Sequence, residues 1–444
     1  MLLFVTRRIL SKAPSALARA GRRRCATYTR AVSSHSGSTV APPAGHAVLA
    51  RRQITLLVLC QALLYVNNVT LIAINGLAGL ALAPSPLWAT LPVTTYIIGS
   101  ALTTVPASLA MGRYGRRAGF MFGTAMGFIG TAIAALGVLN QSFALLCAGT
   151  FVVGLYNAFA QYLRFAAADV AEAYAPTLKE RAISWVLAGG IAGGIIGPEL
   201  SKLTRESLAV PFAGTYVALA VVALAACLVA SRLVIPHKAD RAHGPARPLA
   251  TIAAQPRFIV AVLAGAVSFG AMNLLMTATP LAMKVCGFGY PDAADVIKWH
   301  VVAMFAPGFF TGALIRRFGV LQVMLAGCAL MFVTVAIAHA GLTYWHFWAA
   351  LVALGLAWNF MFTGATTLLT TTYTAAEKSK VQGVNDLAVF ITMISSSAAS
   401  GALLSATGWL DLNLWSLPPV IVTTLAIAWL LLRDRTGGRA AAAA

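Results

Sequence analysis

The chain has 444 residues, of which 59% are hydrophobic and only 10% are charged, and its mean hydropathy is +0.81. Soluble proteins carry about a quarter charged residues, so this composition excludes a large water-soluble protein and favours an integral membrane protein. The formal net charge is +20. Because the basic residues fall between apolar runs, membrane topology explains this excess better than binding to nucleic acid does.

The first segment, residues 1–50, is basic, and we expect it to form a tail outside the bilayer. Its first 46 residues contain many arginines, several serines and no acidic residue. This composition resembles a mitochondrial transit peptide. A disordered basic tail near anionic lipid and translation assigned from too early a start codon are the alternative explanations.

Twelve apolar runs follow, each about long enough to cross ~30 Å of hydrocarbon as a helix. The predicted spans are 54–76, 88–110, 118–139, 143–165, 182–201, 211–231, 257–283, 299–315, 320–341, 345–370, 384–406 and 412–432. We therefore expect an all-α integral membrane protein with two pseudo-symmetric six-helix bundles, 51–233 and 257–433. A cytoplasmic linker at 234–256 joins them, and a tail at 434–444 follows.

The distribution of basic residues predicts the orientation of these spans. If the N-terminus is cytoplasmic, 28 of the 32 lysines and arginines lie on the cytoplasmic side. The four that remain outside are Lys202, Arg205, Lys284 and Lys298. Cytoplasmic loops of membrane proteins are enriched in Lys and Arg, so both termini are expected to be cytoplasmic.

Two short segments indicate an internal duplication. LAMGRYG at 109–115 follows the second span, and ALIRRFG at 313–319 follows the eighth. Each is a basic turn that ends in an aromatic residue and a glycine. Two related six-helix units joined by a linker are the plan of a secondary transporter.

The first of these turns resembles the signature of the major facilitator superfamily, Gly-x-x-x-Asp-(Arg/Lys)-x-Gly-Arg-(Arg/Lys). Its basic half is present as Arg113, Gly115, Arg116 and Arg117, but a serine replaces the first glycine and Gly112 replaces the aspartate. The resemblance implies the major facilitator fold and transport of a small organic solute by alternating access. The segments PASLAMGRYGRRAG at 106–119 and EKSKVQGVND at 377–386 are also similar to a poorly characterised bacterial branch of the family, which implies a bacterial inner membrane.

The missing aspartate affects the expected cytoplasmic gate, since in the family this carboxylate pairs with a neighbouring helix. We expect Arg113, Arg116 and Arg117 to meet Asp386 or Glu377 instead, although proton transfer is an alternative role for Asp386. The other residues assigned to the gate, all charged side chains of cytoplasmic loops, are Arg164, Asp169, Arg316 and Arg317.

Polar side chains follow one face of several predicted spans and are interpreted as substrate-binding residues. They are Gln61, Tyr65, Asn68 and Asn75 in the first span, Asn157 and Gln161 in the fourth, Asn273 in the seventh, and Trp358 and Asn359 in the tenth. In the resembled family these four helices surround the central cavity. Hydrogen bonds between helices are the alternative role of the amides. Tyr65 and Trp358 either stack on a planar or sugar-like ligand or simply fill space.

Two other functional classes compete with transport, an enzyme and a scaffold. The sequence has no Gly-rich phosphate loop and no cysteine or histidine spacing typical of a metal site, so we expect no cofactor, no metal and no enzymatic activity. The expected partners are the lipid bilayer and a small-molecule substrate, with a proton as a possible coupling ion, and the expected state is a monomer. A transport-inactive scaffold or assembly protein with the same fold is the alternative function.

Overall fold

The computed structural model describes residues 44–236, 247–374 and 376–443. The predicted tail up to residue 43 and the centre of the predicted linker, 237–246, lie outside the described residues. Within these ranges the chain forms helices and no strand. The α-helices are α1 (Ala44–Leu82), α2 (Leu91–Tyr114), α3 (Arg116–Leu139), α4 (Phe143–Ala160), α5 (Leu163–Tyr174), α6 (Lys179–Thr204), α7 (Ala213–Ala230), α8 (Leu249–Ala253), α9 (Pro256–Val285), α10 (Tyr290–Phe305), α11 (Gly308–Phe318), α12 (Val320–Ala340), α13 (Tyr344–Thr370), α14 (Lys378–Trp415) and α15 (Leu417–Ala443).

Ten helical segments of the described chain are long and apolar enough to cross a membrane, and the bent pair α10 and α11 makes up to eleven. The last segment, Lys380–Arg435, has 56 residues. A straight helix of that length would measure about 84 Å, far more than a bilayer needs. Gly408 interrupts it with φ 80°, and α14 and α15 both pack against α9 and α12. The segment therefore accounts for both the eleventh and the twelfth predicted spans.

The eighth predicted span, 299–315, has the wrong bounds. The helix begins nine residues earlier, at Tyr290, and breaks between Phe305 and Gly308 with a bend of 43°. The first residues of this helix include charged side chains, and their low hydropathy predicted a loop. The break falls at Pro307, which has no N–H to donate to the preceding turn. Asn359 of α13 compensates, because its Nδ2 donates to the carbonyl of Met304 at 2.7 Å.

A stripe of glycines brings α6 close to α1. Gly189, Gly193 and Gly197, spaced four residues apart, face the backbone carbonyls of Val58, Ala62 and Val66 on α1, and a methyl group on any of them would overlap with these atoms. Small residues at this spacing let helix backbones approach closely in a membrane. These glycines therefore serve the packing of α6 against α1.

Two glycines support the internal duplication. Gly115 ends α2 with φ 86° and ψ 155°, and Gly319 ends α11 with φ 93° and ψ 153°. Residues other than glycine rarely adopt this backbone conformation. Residues 48–444 nevertheless cluster as one compact unit, so the division into two bundles stays a prediction. We call α1–α7 the N-terminal half and α9–α15 the C-terminal half.

The helices define two ends of the molecule. The basic end carries the turns at Gly115 and Gly319, which are flanked by arginines. The opposite end carries the turns at 83–90, 205–212 and 286–289. These names describe position within the bundle and do not depend on the side of the membrane.

Candidate functional site

Two asparagines connect α1 to α4 in the middle of the molecule. The Nδ2 of Asn68 donates to the Oδ1 of Asn157 at 2.9 Å, and the hydroxyl of Tyr96 on α2 donates to the Oδ1 of Asn68 at 2.8 Å. The Nδ2 of Asn157 donates to the Oγ of Ser100 at 3.0 Å. We call these four residues the amide chain. Asn157 is buried and Asn68 is half-buried, so Asn68 is the more accessible of the two amides.

Five aromatic rings meet beside the amide chain, where α1, α9, α10 and α13 converge. We call Tyr65, Phe269, Phe305, Trp358 and Phe362 the aromatic cluster. The rings of Trp358 and Phe362 are stacked, with centroids 5.2 Å apart and planes 16° apart. Phe269 meets both edge-on, at 5.1 Å and 4.7 Å.

The aromatic cluster also joins the two halves. Phe305, on the C-terminal half, lies 5.0 Å from the ring of Tyr65, on the N-terminal half, and 6.0 Å from that of Trp358. Trp358 is buried, and its indole Nε1–H has no hydrogen-bond partner among the residues that the structure describes. A buried donor without an acceptor costs free energy, so this group is suited to a partner that the chain itself does not supply.

Three of the amides assigned to substrate binding are hydrogen-bonded to neighbouring helices in this conformation, and their binding role stays a prediction. Asn75 accepts a 2.5 Å hydrogen bond from the hydroxyl of Tyr216 on α7. Asn273 donates to Ser396 Oγ on α14 at 3.0 Å. Asn359 bonds to the broken turn between α10 and α11, as described above. All three are buried, so in this conformation their amides serve packing.

The two glutamines assigned to the site lie in different surroundings. Gln61 is buried in α1, and Gln161 is exposed at the break between α4 and α5. The structure brings neither into the amide chain. Within the described residues, no group of three or more His, Cys, Asp or Glu side chains is placed to hold a metal ion.

Two of the predicted gate arginines, Arg116 and Arg117, contact residues in the N-terminal half or directly after it. Arg116 pairs with Asp169, with Nε and Oδ2 2.6 Å apart, which ties α3 to α5. The Nη2 of Arg117 donates to the carbonyl of Ser231 at 2.7 Å. The other four gate arginines are exposed at the basic end. Three of them lie over the aromatic ring of the next residue: Arg113 over Tyr114, Arg164 over Phe165 and Arg317 over Phe318. Arg316 lies beside Gly312.

Glu377 is not the partner of these arginines, so that expectation is wrong for this conformation. Its buried carboxylate accepts hydrogen bonds from the Nε and Nη2 of Arg247, both at 2.8 Å, and from the backbone N–H of Thr374 at 2.9 Å. The Arg247 guanidinium, with the backbone N–H groups of Thr374 and of Arg247 itself, holds the pKa of Glu377 well below its usual range. The contact fastens the end of the linker to the turn before α14.

Asp386 is exposed, and Asn385 donates to it at 3.2 Å. Its gating role stays a prediction.

Four charged side chains join the halves toward the opposite end. Glu199 and Lys202 lie on α6, and Asp295 and Lys298 lie on α10. Two ion pairs cross between the halves, Lys202–Asp295 at 2.6 Å and Lys298–Glu199 at 2.5 Å. We call these four residues the ion quartet.

Other polar contacts between the halves lie near the ion quartet or at the same end. The hydroxyls of Ser201 and Tyr290 are 2.5 Å apart, and Thr94 on α2 donates to Ser397 on α14 at 3.1 Å. Thr90 donates to the carbonyl of Ser397 at 3.0 Å. These contacts connect the two halves at the opposite end.

Comparison with known proteins agrees with this architecture. Residues 57–308 match the model of the Major Facilitator Superfamily, and the chain belongs to that family of membrane transporters. It is 41% identical over 401 residues to the riboflavin transporter RfnT of Brucella anthropi, an alignment that covers 89% of this chain and 99% of that protein.

Two Bacillus subtilis proteins are more distant relatives. The uncharacterized MFS-type transporter YdeG is 29% identical over 350 residues, or 74% of this chain and 80% of its own length. The uncharacterized MFS-type transporter YddS is 27% identical over 348 residues, or 73% and 78%. The chain is therefore a transmembrane transporter of a small solute, and a transport-inactive scaffold is not favoured.

Proposed function

We propose that this protein carries riboflavin across the membrane by alternating access. The observation that carries the proposal is the 41% identity to a riboflavin transporter over nearly the full length of both chains. The site described above supports it in two ways, through its rings and through its amides.

The aromatic cluster suits a flat ligand. The isoalloxazine of riboflavin is a planar three-ring system, and such rings stack on aromatic side chains with a gain of about 1–3 kcal/mol. Trp358 and Phe362 already form a stacked pair at the middle of α13. A carbonyl or ring nitrogen of the flavin would also supply the acceptor that the Trp358 indole lacks.

The amide chain suits the polar edge of the same ligand. The pyrimidine edge of isoalloxazine carries carbonyl oxygens and an N–H, and a carboxamide both donates and accepts. Asn68 follows Tyr65 by three residues, so the accessible amide and the aromatic cluster share one face of α1. The members of both groups are uncharged, which favours neutral riboflavin over its phosphorylated forms.

The distribution of contacts supports a conformation that is open toward the basic end. The ion quartet and the contacts near it close the opposite end, whereas the ion pairs of Arg116 and Glu377 stay within one half or attach the linker. Because 28 of 32 basic residues fall on that side, we place the basic end, with both chain termini, in the cytoplasm of a bacterial inner membrane.

Two finer points complete the proposal. The working unit is a monomer, because the aromatic cluster, the amide chain and the ion quartet all come from one chain. A proton is the proposed coupling ion. Uptake of riboflavin into proteoliposomes should then rise when an inward proton gradient is imposed, and uptake that ignores the gradient would contradict coupling to protons.

A binding measurement tests the substrate. Stacking on an aromatic side chain quenches riboflavin fluorescence, so titration of the purified protein should quench it saturably. Trp358→Leu and Phe362→Leu should each weaken binding about tenfold, since each removes one stacking partner. Trp345→Leu is the matched control, because Trp345 lies near the opposite end and is 68% exposed.

Two results would count against this proposal in different ways. Riboflavin that causes no saturable quenching of the parent protein contradicts the substrate. Riboflavin that binds equally well to the parent, Trp358→Leu and Phe362→Leu proteins contradicts the aromatic cluster as its site and leaves the substrate standing.

A further inference from the structure

We propose that the ion quartet is an exchangeable latch, which closes the opposite end of the transporter and reopens in every cycle. Each lysine contacts both carboxylates. Lys202 lies 2.6 Å from Asp295 and 3.2 Å from Glu199, and Lys298 lies 2.5 Å from Glu199 and 2.6 Å from Asp295. Two of these four ion pairs cross between the halves and two lie within one helix.

The two helices carry the same pattern. Glu199 and Lys202 are three residues apart on α6, and Asp295 and Lys298 are three residues apart on α10. Side chains at this spacing are neighbours on one helical face. When the halves separate, each lysine therefore keeps a carboxylate on its own helix, and no charge is left unpaired.

This arrangement makes the latch reversible. An ion pair that is buried and then broken leaves an uncompensated charge, which is strongly unfavourable. Here the two lysines are 17–18% exposed and the two carboxylates 33–45% exposed, and the acid–lysine pair on each helix has zero net charge. The quartet thus stabilises the closed end through two ion pairs of modest strength. Separation of the two halves breaks only these two of its four ion pairs.

The surroundings locate the latch where the halves touch. Gly194 on α6 faces Val301 on α10, and Ser201 is bonded to Tyr290, so α6 and α10 pack side by side on both flanks of the quartet. On its other face α6 is fixed to α1 by the glycine stripe. The quartet therefore lies between two packed helices of opposite halves. A change in its charges should change the distance between these helices.

A charge exchange on one helix tests the latch. The double variant Glu199→Lys with Lys202→Glu keeps the local pair on α6 but places like charges opposite each other across the halves. The quadruple variant adds Asp295→Lys and Lys298→Glu, which restores attraction with every charge exchanged. Net charge is the same in all three proteins, and the quadruple variant differs from the parent in composition only by one glutamate in place of one aspartate.

The distance between the halves at the opposite end provides the readout. Spin labels on Asn140→Cys and Leu342→Cys, both exposed at the ends of α3 and α12, report it in purified protein whose six native cysteines are replaced by serine. We expect the double variant to raise the ratio of long to short distances about tenfold, and the quadruple variant to return it to that of the parent. High salt should reduce the difference, because it screens these partly exposed charges.

Either of two results would overturn the latch. One is a double variant with the same distance distribution as the parent. The other is a quadruple variant that remains like the double variant, since the effect would then come from disturbed packing and not from charge. The measurement uses no substrate, so its outcome is separate from that of the riboflavin proposal.

Discussion

The two ends of this transporter are held by charges in different ways. At the opposite end, the ion quartet joins α6 of one half to α10 of the other. At the basic end, Arg116 pairs with Asp169 inside the N-terminal half, and Glu377 binds Arg247 of the linker. The two ends therefore differ in whether the partners of their ion pairs belong to different halves.

The largest effect at the basic end is expected from its turn. Gly115→Ala should destabilise the protein by about 1–3 kcal/mol, because φ at this position is 86° and a side chain strains the backbone there. Thermal unfolding in detergent measures the loss. Gly112→Ala is the matched control, since no atom lies within 4 Å of the added methyl group. Equal melting temperatures for the two variants would contradict a strained turn.

A smaller and more local effect is expected at the linker. Glu377→Gln removes the charge that holds Arg247, so residues 247–255 should exchange amide hydrogens faster, with little change elsewhere. Because the pKa of Glu377 is lowered in the folded protein, the contact contributes stability above the ordinary pKa of a glutamate. That contribution declines as the pH falls below the ordinary value and is gone once the pH has fallen through the lowered value. Unchanged exchange in the variant at neutral pH would show that the carboxylate does not hold the linker.

The smallest effect is expected from Asp169→Asn. This change removes the partner of Arg116, a partly exposed pair that contributes about 0.2–1 kcal/mol. Since the pair lies within one half, the distance between spin labels at positions 140 and 342 should stay that of the parent. A shift comparable to that of the ion-quartet double variant would remove the distinction between the two ends.

The sequence predicted the helices well because each must bury an apolar surface in a bilayer of fixed thickness. It failed at the start of α10, where Asp295 and Lys298 made a helical segment resemble a loop. No pairing of these two residues with Glu199 and Lys202 on α6 was predicted. The spacing of three residues between acid and lysine on both helices indicates an ion pair within each helix. The pairing of Lys202 with Asp295, 93 residues further along the chain, depends on how the helices pack and could not be predicted from that spacing.

The candidate site was only partly predictable for a related reason. The polar face shared by Tyr65 and Asn68 follows from helical periodicity, and Asn68 does meet Asn157. The same face also contains Asn75, but toward the end of α1 it meets Tyr216 of α7 in place of a cavity. Phe269, Phe305 and Phe362 carry no polar signal and come from three helices, so periodicity within one helix could not assemble the aromatic cluster.

Counterflow in proteoliposomes tests riboflavin transport most directly. Vesicles that contain the purified protein are loaded with unlabelled riboflavin and diluted into a trace of labelled riboflavin. We predict that label accumulates transiently inside above its outside concentration, and that Trp358→Leu reduces the initial rate at low riboflavin concentration about tenfold while Trp345→Leu does not. Label that enters no faster than in vesicles without protein would contradict the central claim that this chain moves riboflavin.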